Sequence, residues 1–138
     1  LLVMNVTGDP MKPECEEVYL NPRIVERKGT VEDEEGCLSF PGLYQKIRRS
    51  KSIKIQAYDL KGQLVEKVVS DIEARAWQHE IDHLNGVLFI DMMGHIAKLM
   101  SRSAIKDFER EFKKAQEKGE IPAEVEIEKL LASLESHA

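Results

Sequence analysis

His79 and His83 stand four positions apart in Gln78-His79-Glu80-Ile81-Asp82-His83-Leu84, with Glu80 directly after the first histidine. On a helix, residues at that spacing project from nearly the same face, one turn apart. Two imidazoles placed this way can converge on one metal ion. Glu80 lies about 100° further round the helix, beside such an ion rather than bound to it, where a carboxylate serves as a general base. The pattern is H-E-x-x-H, and the chemistry it suggests is metal-assisted hydrolysis. With three fixed positions it also arises by chance, as histidines displayed on a helix surface. The neighbours Ala74, Ala76, Trp77, Ile81 and Leu84 are mostly apolar, which argues for a helix packed into the core. Buried neutral histidines need hydrogen-bonding partners, and a metal satisfies one nitrogen of each.

A catalytic site of this type takes three protein ligands and keeps a position for water. Downstream candidates for the third ligand are His95, Glu109 and Glu111, in or near a surface helix. Cys37 is the stronger candidate, because Gly36-Cys37-Leu38-Ser39-Phe40-Pro41-Gly42 is rich in residues that break regular structure. Taken alone, Cys37 also reads as a small buried hydrophobe.

These residues need elements to position them. Leu1 to Val6 is an apolar run of strand length, ended by Thr7-Gly8-Asp9-Pro10. Val18 to Leu20 and Arg23 to Lys28 read as extended. Val31 to Glu35 is acidic and leads into the cysteine loop. Ile53, Ile55 and Ala57 alternate with polar residues, the period of a half-buried strand, and Leu64 to Val69 returns as its hairpin partner across Asp59-Leu60-Lys61-Gly62. Ser70 with Glu73 predicts a capping box opening the motif helix, and Asn85-Gly86 predicts its stop near Leu84. Val87 to Ile90 reads as a short apolar strand. A long helix is expected from Ile96 to Lys118, with Ile105, Phe108 and Phe112 at helical spacing. Ala123 to Leu134 reads as a short third helix or a fraying end. The expected fold class is α+β, with mostly antiparallel strands packed around a central helix carrying H-E-x-x-H and a C-terminal helix. One domain is expected over 1–138, with 119–138 as a flexible tail.

The net charge of −5 argues against a broad nucleic-acid-binding surface. Lys46, Arg48, Arg49 and Lys51 form a local basic cluster that reads as a solvated strand edge. Cys15 and Cys37 are too few for a disulfide framework and fit a reducing compartment. No run reaches the roughly 18 apolar residues of a membrane span. The expected location is therefore a reducing compartment such as the cytoplasm.

Glu35-Gly36-Cys37-Leu38-Ser39, followed after a hairpin by Gln78-His79-Glu80-Ile81-Asp82-His83-Leu84, closely resembles the second and third signatures of the peptide deformylases, in order and at about the family's separation. Gly86 and Val87 to Asp91 resemble the family's continuation, so the likeness runs from Leu1 to about Met93. The family's first signature, a glycine-rich segment ending in glutamine, has no counterpart here, so the resemblance implies a chain lacking that N-terminal portion.

The resemblance implies metal ligation by Cys37, His79 and His83, acid/base catalysis by Glu80, and oxyanion stabilisation by the backbone N–H of Leu38. It implies ferrous iron as the native metal, with zinc or nickel as substitutes, and N-formylmethionyl peptides as substrate. Glu35 and Gly36 are candidate substrate contacts. Ile72 and Ala76, with the stem of Arg75, are candidates for an apolar methionine pocket, core packing being the alternative for each. A thiolate ligand also implies sensitivity to oxidation. Two competing readings remain: a protease of the thermolysin kind with a downstream carboxylate ligand, and a binding module without catalysis. The charged helix from Ile96 to Lys118 makes the ribosome a candidate partner. No membrane partner is expected.

Overall fold

The computed structural model describes residues 1–5, 7, 9 and 11–136. They form six strands and three helices in an α+β arrangement. Strands β1 (Leu2–Met4), β2 (Glu17–Lys28), β5 (Ser52–Tyr58) and β6 (Leu64–Ser70) make an antiparallel sheet in the order β1-β2-β5-β6. Strands β3 (Val31–Gly36) and β4 (Tyr44–Arg49) form a separate antiparallel pair that carries the cysteine loop at its tip. Helix α1 (Asp71–Leu84) follows β6 directly; α2 (His95–Glu117) and α3 (Glu124–Glu135) come after it.

The alternation in β5 sends Ile53, Ile55 and Ala57 inward. There they meet Val69 of β6, Tyr19 of β2, and Ala74, Trp77 and Ile81 of α1. Tyr19 and Trp77 contact at 4.7 Å between ring centroids, at a tilted angle that suits the aromatic quadrupole. Ile55 is fully buried, so Ile55→Val should lower stability by about 1 kcal/mol, the usual effect of deleting one buried methylene. Urea unfolding of the metal-free chain measures it. A second cluster joins Ile47 of β4 to Phe89 and Met93, with Cys37, Phe40 and Leu43 packed against it. This cluster seats the cysteine loop.

The passage from β6 to α1 occurs without a loop. Ser70 pairs with Ser52 across the sheet, and the Asp71 N–H donates to the Lys51 carbonyl at 2.9 Å. Asp71 then makes the turn in the left-handed region, at φ 54°, which aspartate tolerates better than most residues. The expected capping box does not form. The Ser70 hydroxyl donates to the Asp71 carboxylate instead; an extended Ser70 is ordinary for a cap, and what departs from a normal first turn is Asp71 at positive φ. The stop at Asn85-Gly86 is as expected: Gly86 has φ 73° and its N–H donates to the His83 carbonyl.

Two other expectations need correction, and one segment to which the sequence assigned no element is a strand. Val87 to Ile90 is not a strand. It belongs to a turn in which the Leu88 N–H donates to the Asp91 carboxylate and the Asp91 N–H to the Leu88 carbonyl, while Phe89 fills the second core cluster. The acidic segment from Val31 is a full strand, because β4 supplies every register partner from Val31↔Arg49 to Gly36↔Tyr44. Arg49 is not at a solvated edge but buried, because two carboxylates converge on it. The first strand ends at Met4; Val6, Gly8 and Pro10 of the proposed strand end and loop lie outside the described residues.

The chain separates into two compact units, Leu1–Ala97 and Lys98–Ala138. The second holds most of α2 and all of α3. Within it, the Glu120 N–H donates to the Ala115 carbonyl and the Gln116 side chain to the Pro122 carbonyl. Of the segment expected as a tail, Glu124–Glu135 is helical. No described helix is long and apolar enough to cross a membrane.

Candidate metal centre

The strand pair and α1 bring three donor atoms together. Cys37 Sγ lies 3.4 Å from His83 Nε2, which lies 3.1 Å from His79 Nε2. The two imidazoles meet edge to face, 4.6 Å between centroids. Cys37, His79 and His83 form the one group of three metal-ligating side chains found among the described residues; none of the downstream candidates belongs to it. A tetrahedral ion with ordinary bond lengths to nitrogen and sulfur holds its ligand atoms about 3.3–3.6 Å apart, close to the spacing here. The donor set therefore fits a borderline-soft divalent metal.

Glu35 fixes which nitrogens face the centre. Its Oε1 accepts from Arg49 Nη2 and His79 Nδ1, both at 2.7 Å. Its Oε2 accepts from Arg49 Nε at 3.1 Å and Arg75 Nη1 at 2.8 Å. Four donors occupy the four lone-pair positions of an ionised carboxylate. His79 must therefore donate from Nδ1, which leaves the Nε2 lone pair directed at Cys37 and His83. This is the carboxylate–histidine pairing that orients metal ligands. Glu35, a candidate substrate contact, lines the pocket over the donors; it is 7% exposed and its carboxylate is taken up by these three side chains. The sequence signal for that role was weak: Glu35 stands in a run of acids, and Arg49 in a run of bases.

The electrostatics follow from the contacts. Burial pushes the Glu35 carboxyl up, but the hydrogen bonds from His79 and Arg49, the Arg49 charge and the Arg75 hydrogen bond outweigh it and hold the pKa at about 2. The Glu35 hydrogen bond raises His79 against the opposing effect of burial. Burial also pushes the Cys37 thiol up, yet the hydrogen bonds of Ser39 and the adjacent His79 bring it below its ordinary value. The Ser39 N–H donates to Sγ at 3.4 Å. A thiol drawn toward thiolate is a nucleophile and a metal ligand.

A pocket of about 470 Å³ opens over the three donors. Glu80 lines it, half-buried, as do Gly36, Leu38, Ile72, Arg75 and Ala76. Ile72 is largely exposed and Ala76 partly buried, so the first is rim and the second is wall. The Leu38 side chain points into solvent, 96% exposed. The Arg75 stem reaches the pocket while its Nη1 is held by Glu35 and the Ile47 carbonyl. The arrangement can therefore bind a metal, place a carboxylate beside it, and accept a substrate of peptide size.

A family model for polypeptide deformylase matches residues 1–99. A peptide deformylase of Rhodopirellula baltica is 34% identical over 136 residues, covering 99% of this chain and 67% of that protein. One of Thermotoga petrophila is 42% identical over 113 residues, 81% of this chain and 65% of its own length. Among solved structures, a Plasmodium falciparum peptide deformylase aligns with TM-score 0.76 at 39% identity, over 81% of this chain and 66% of that one. Arabidopsis thaliana peptide deformylase 1B in complex with an inhibitor gives 0.75 at 39% identity, over 88% and 66%. The chain thus spans about two thirds of the length of these relatives.

Proposed function

Because the chain belongs to the polypeptide deformylase family, we propose that it hydrolyses the N-formyl group of N-formylmethionyl peptides, releasing formate and a free amino terminus. The observation that carries this reading is the convergence of Cys37, His79 and His83 at the floor of a pocket that Glu80 lines. Ferrous iron is the proposed native metal, with zinc or nickel as substitutes. Such an ion, when bound, acidifies water and polarises the formyl carbonyl.

The chain's own residues do the rest. Cys37, His79 and His83 hold the ion, and Glu35 keeps His79 in the binding tautomer. Glu80 accepts the proton of the attacking water and returns it to the leaving amine. The backbone N–H of Leu38 is assigned to the developing oxyanion, a contact of the kind worth about 10²–10³ in rate. Ala76, Ile72 and the Arg75 stem form part of the apolar surface for the methionine side chain, and Gly36, whose missing Cβ leaves room for the Tyr44 ring, borders the same pocket. Bacterial and chloroplastic relatives support a bacterial cytoplasm, or else an organelle, as the location. Exposed Lys98, Arg102 and Lys106, one turn apart on α2, support the ribosome as a partner.

The deciding experiment loads the protein anaerobically with ferrous iron and measures bound metal and formate released from a formyl-methionyl peptide. It is made on this chain and on a version extended at its amino terminus with a relative's glycine-rich segment. Stoichiometric metal and formate release by either version are expected; metal-free protein and no formate from both would overturn the reading. Cys37→Ser should weaken metal binding by more than about 100-fold, beyond what loss of a group that only supports a ligand costs, as read by metal content after dialysis. In a protease of the thermolysin kind the same change would leave metal content intact.

A further inference from the structure

Cys37 and the two histidines stand on segments far apart in the chain; beside the direct bonds that His79 and Arg75 make to Glu35, Arg49 bonds to both. It belongs to neither segment: it ends β4 and its side chain is 3% exposed. Its Nε and Nη2 donate to Glu35, two residues before Cys37 on β3. Its Nη1 donates to Asp82, which lies between His79 and His83 on α1. The rigid fork of a guanidinium can serve both carboxylates at once, whereas a lysine ammonium is a single point charge on a flexible stem.

We propose that Arg49 and Asp82 form a positioning clamp that registers the cysteine strand against the histidine helix and so governs how long the metal stays bound. This rests on the reading of Cys37, His79 and His83 as ligands. Neither clamp residue touches the metal or the substrate; both act through the residues they hold. Buried ion pairs contribute little net stability compared with apolar replacements, so folding alone is a weak reason for this one. Groups that orient metal ligands, by contrast, typically change affinity by about 10–100-fold when removed.

The probe is cobalt(II), whose charge-transfer band with a thiolate reports Cys37 directly and whose loss to EDTA gives a release rate. Asp82→Asn preserves shape at a site 24% exposed, so it should fold. Arg49→Lys is the second variant. Lys67→Met is the control, because Lys67 pairs with Glu17 and hydrogen-bonds to Tyr19 away from the metal ligands. Both clamp variants should release cobalt about tenfold faster than wild type, with an altered thiolate band. Lys67→Met should lower the urea midpoint and leave the release rate unchanged. The clamp is overturned if Asp82→Asn releases cobalt at the wild-type rate with an unaltered band, or if Lys67→Met accelerates release equally. Wild-type protein that fails to hold cobalt overturns the ligand assignment and the clamp with it.

Discussion

Glu80→Gln should cut formate release by about 10³-fold, in the middle of the range for a positioned general acid/base, while metal content stays at the wild-type level. Glutamine keeps the volume and polarity of the side chain but cannot take a proton. Glu80 is outside the ligand group yet lines the same pocket, so the chemical step should suffer and metal binding should not. The measurement is kcat for formate release beside the metal content of the same sample. A variant within tenfold of wild type would mean that another group moves the proton. A variant that loses its metal would mean that Glu80 is a ligand.

Glu35→Ala should be the most damaging change to the fold. It leaves Arg49 and Arg75, 3% and 8% exposed, as buried cations without their shared carboxylate. Removing one partner of a buried ionic cluster costs about 3–5 kcal/mol, and urea unfolding of chelator-treated protein measures it. Metal retention should fall as well, since His79 loses the acceptor that fixes its Nδ1 proton.

Acid should do reversibly what that substitution does permanently. The Glu35 carboxyl is depressed from its ordinary 4.5 to about 2 in the folded state. A depressed acid stabilises the fold at pH values above its unfolded pKa, and that contribution disappears as pH falls through the folded value. The stability of the metal-free protein should therefore fall between about pH 4.5 and pH 2, by an amount of order 3 kcal/mol. Glu35→Gln should remove most of this dependence. If the two proteins lose stability in parallel over that window, other carboxylates govern the acid limit.

The parts of the molecule that could be read from its sequence are those with a local signal. The β5–β6 hairpin announces itself by alternation, and the motif helix by its apolar neighbours and its Asn85-Gly86 stop. The Cys37, His79 and His83 cluster drew on two motifs together. Glu35 and Arg49 carried no comparable signal. Each sits in a run of like charges, and what distinguishes it is burial, which only tertiary packing creates. The same runs hid β3, in which Glu32 and Glu34 face Arg48 and Lys46 of β4 and no apolar stripe forms. The Val87–Ile90 turn misled for the opposite reason: its apolar residues serve a core cluster without pairing in a sheet.

The direct passage from Ser70 to Asp71 has a consequence for how this chain can change length over evolutionary time. One residue inserted there would turn α1 by about 100° relative to the hairpin. Glu80 would then swing toward or away from the place that His79 occupies, and Trp77 would leave the core. No neighbouring loop can absorb such an indel, since the last rung of the sheet is bonded to the first residue of the helix. The Asp59–Gln63 turn, exposed and closed by the Asp59 carboxylate, carries no such burden. Descendants of this gene should vary in length at that hairpin tip and hold a constant count from Ser52 through His83 everywhere else.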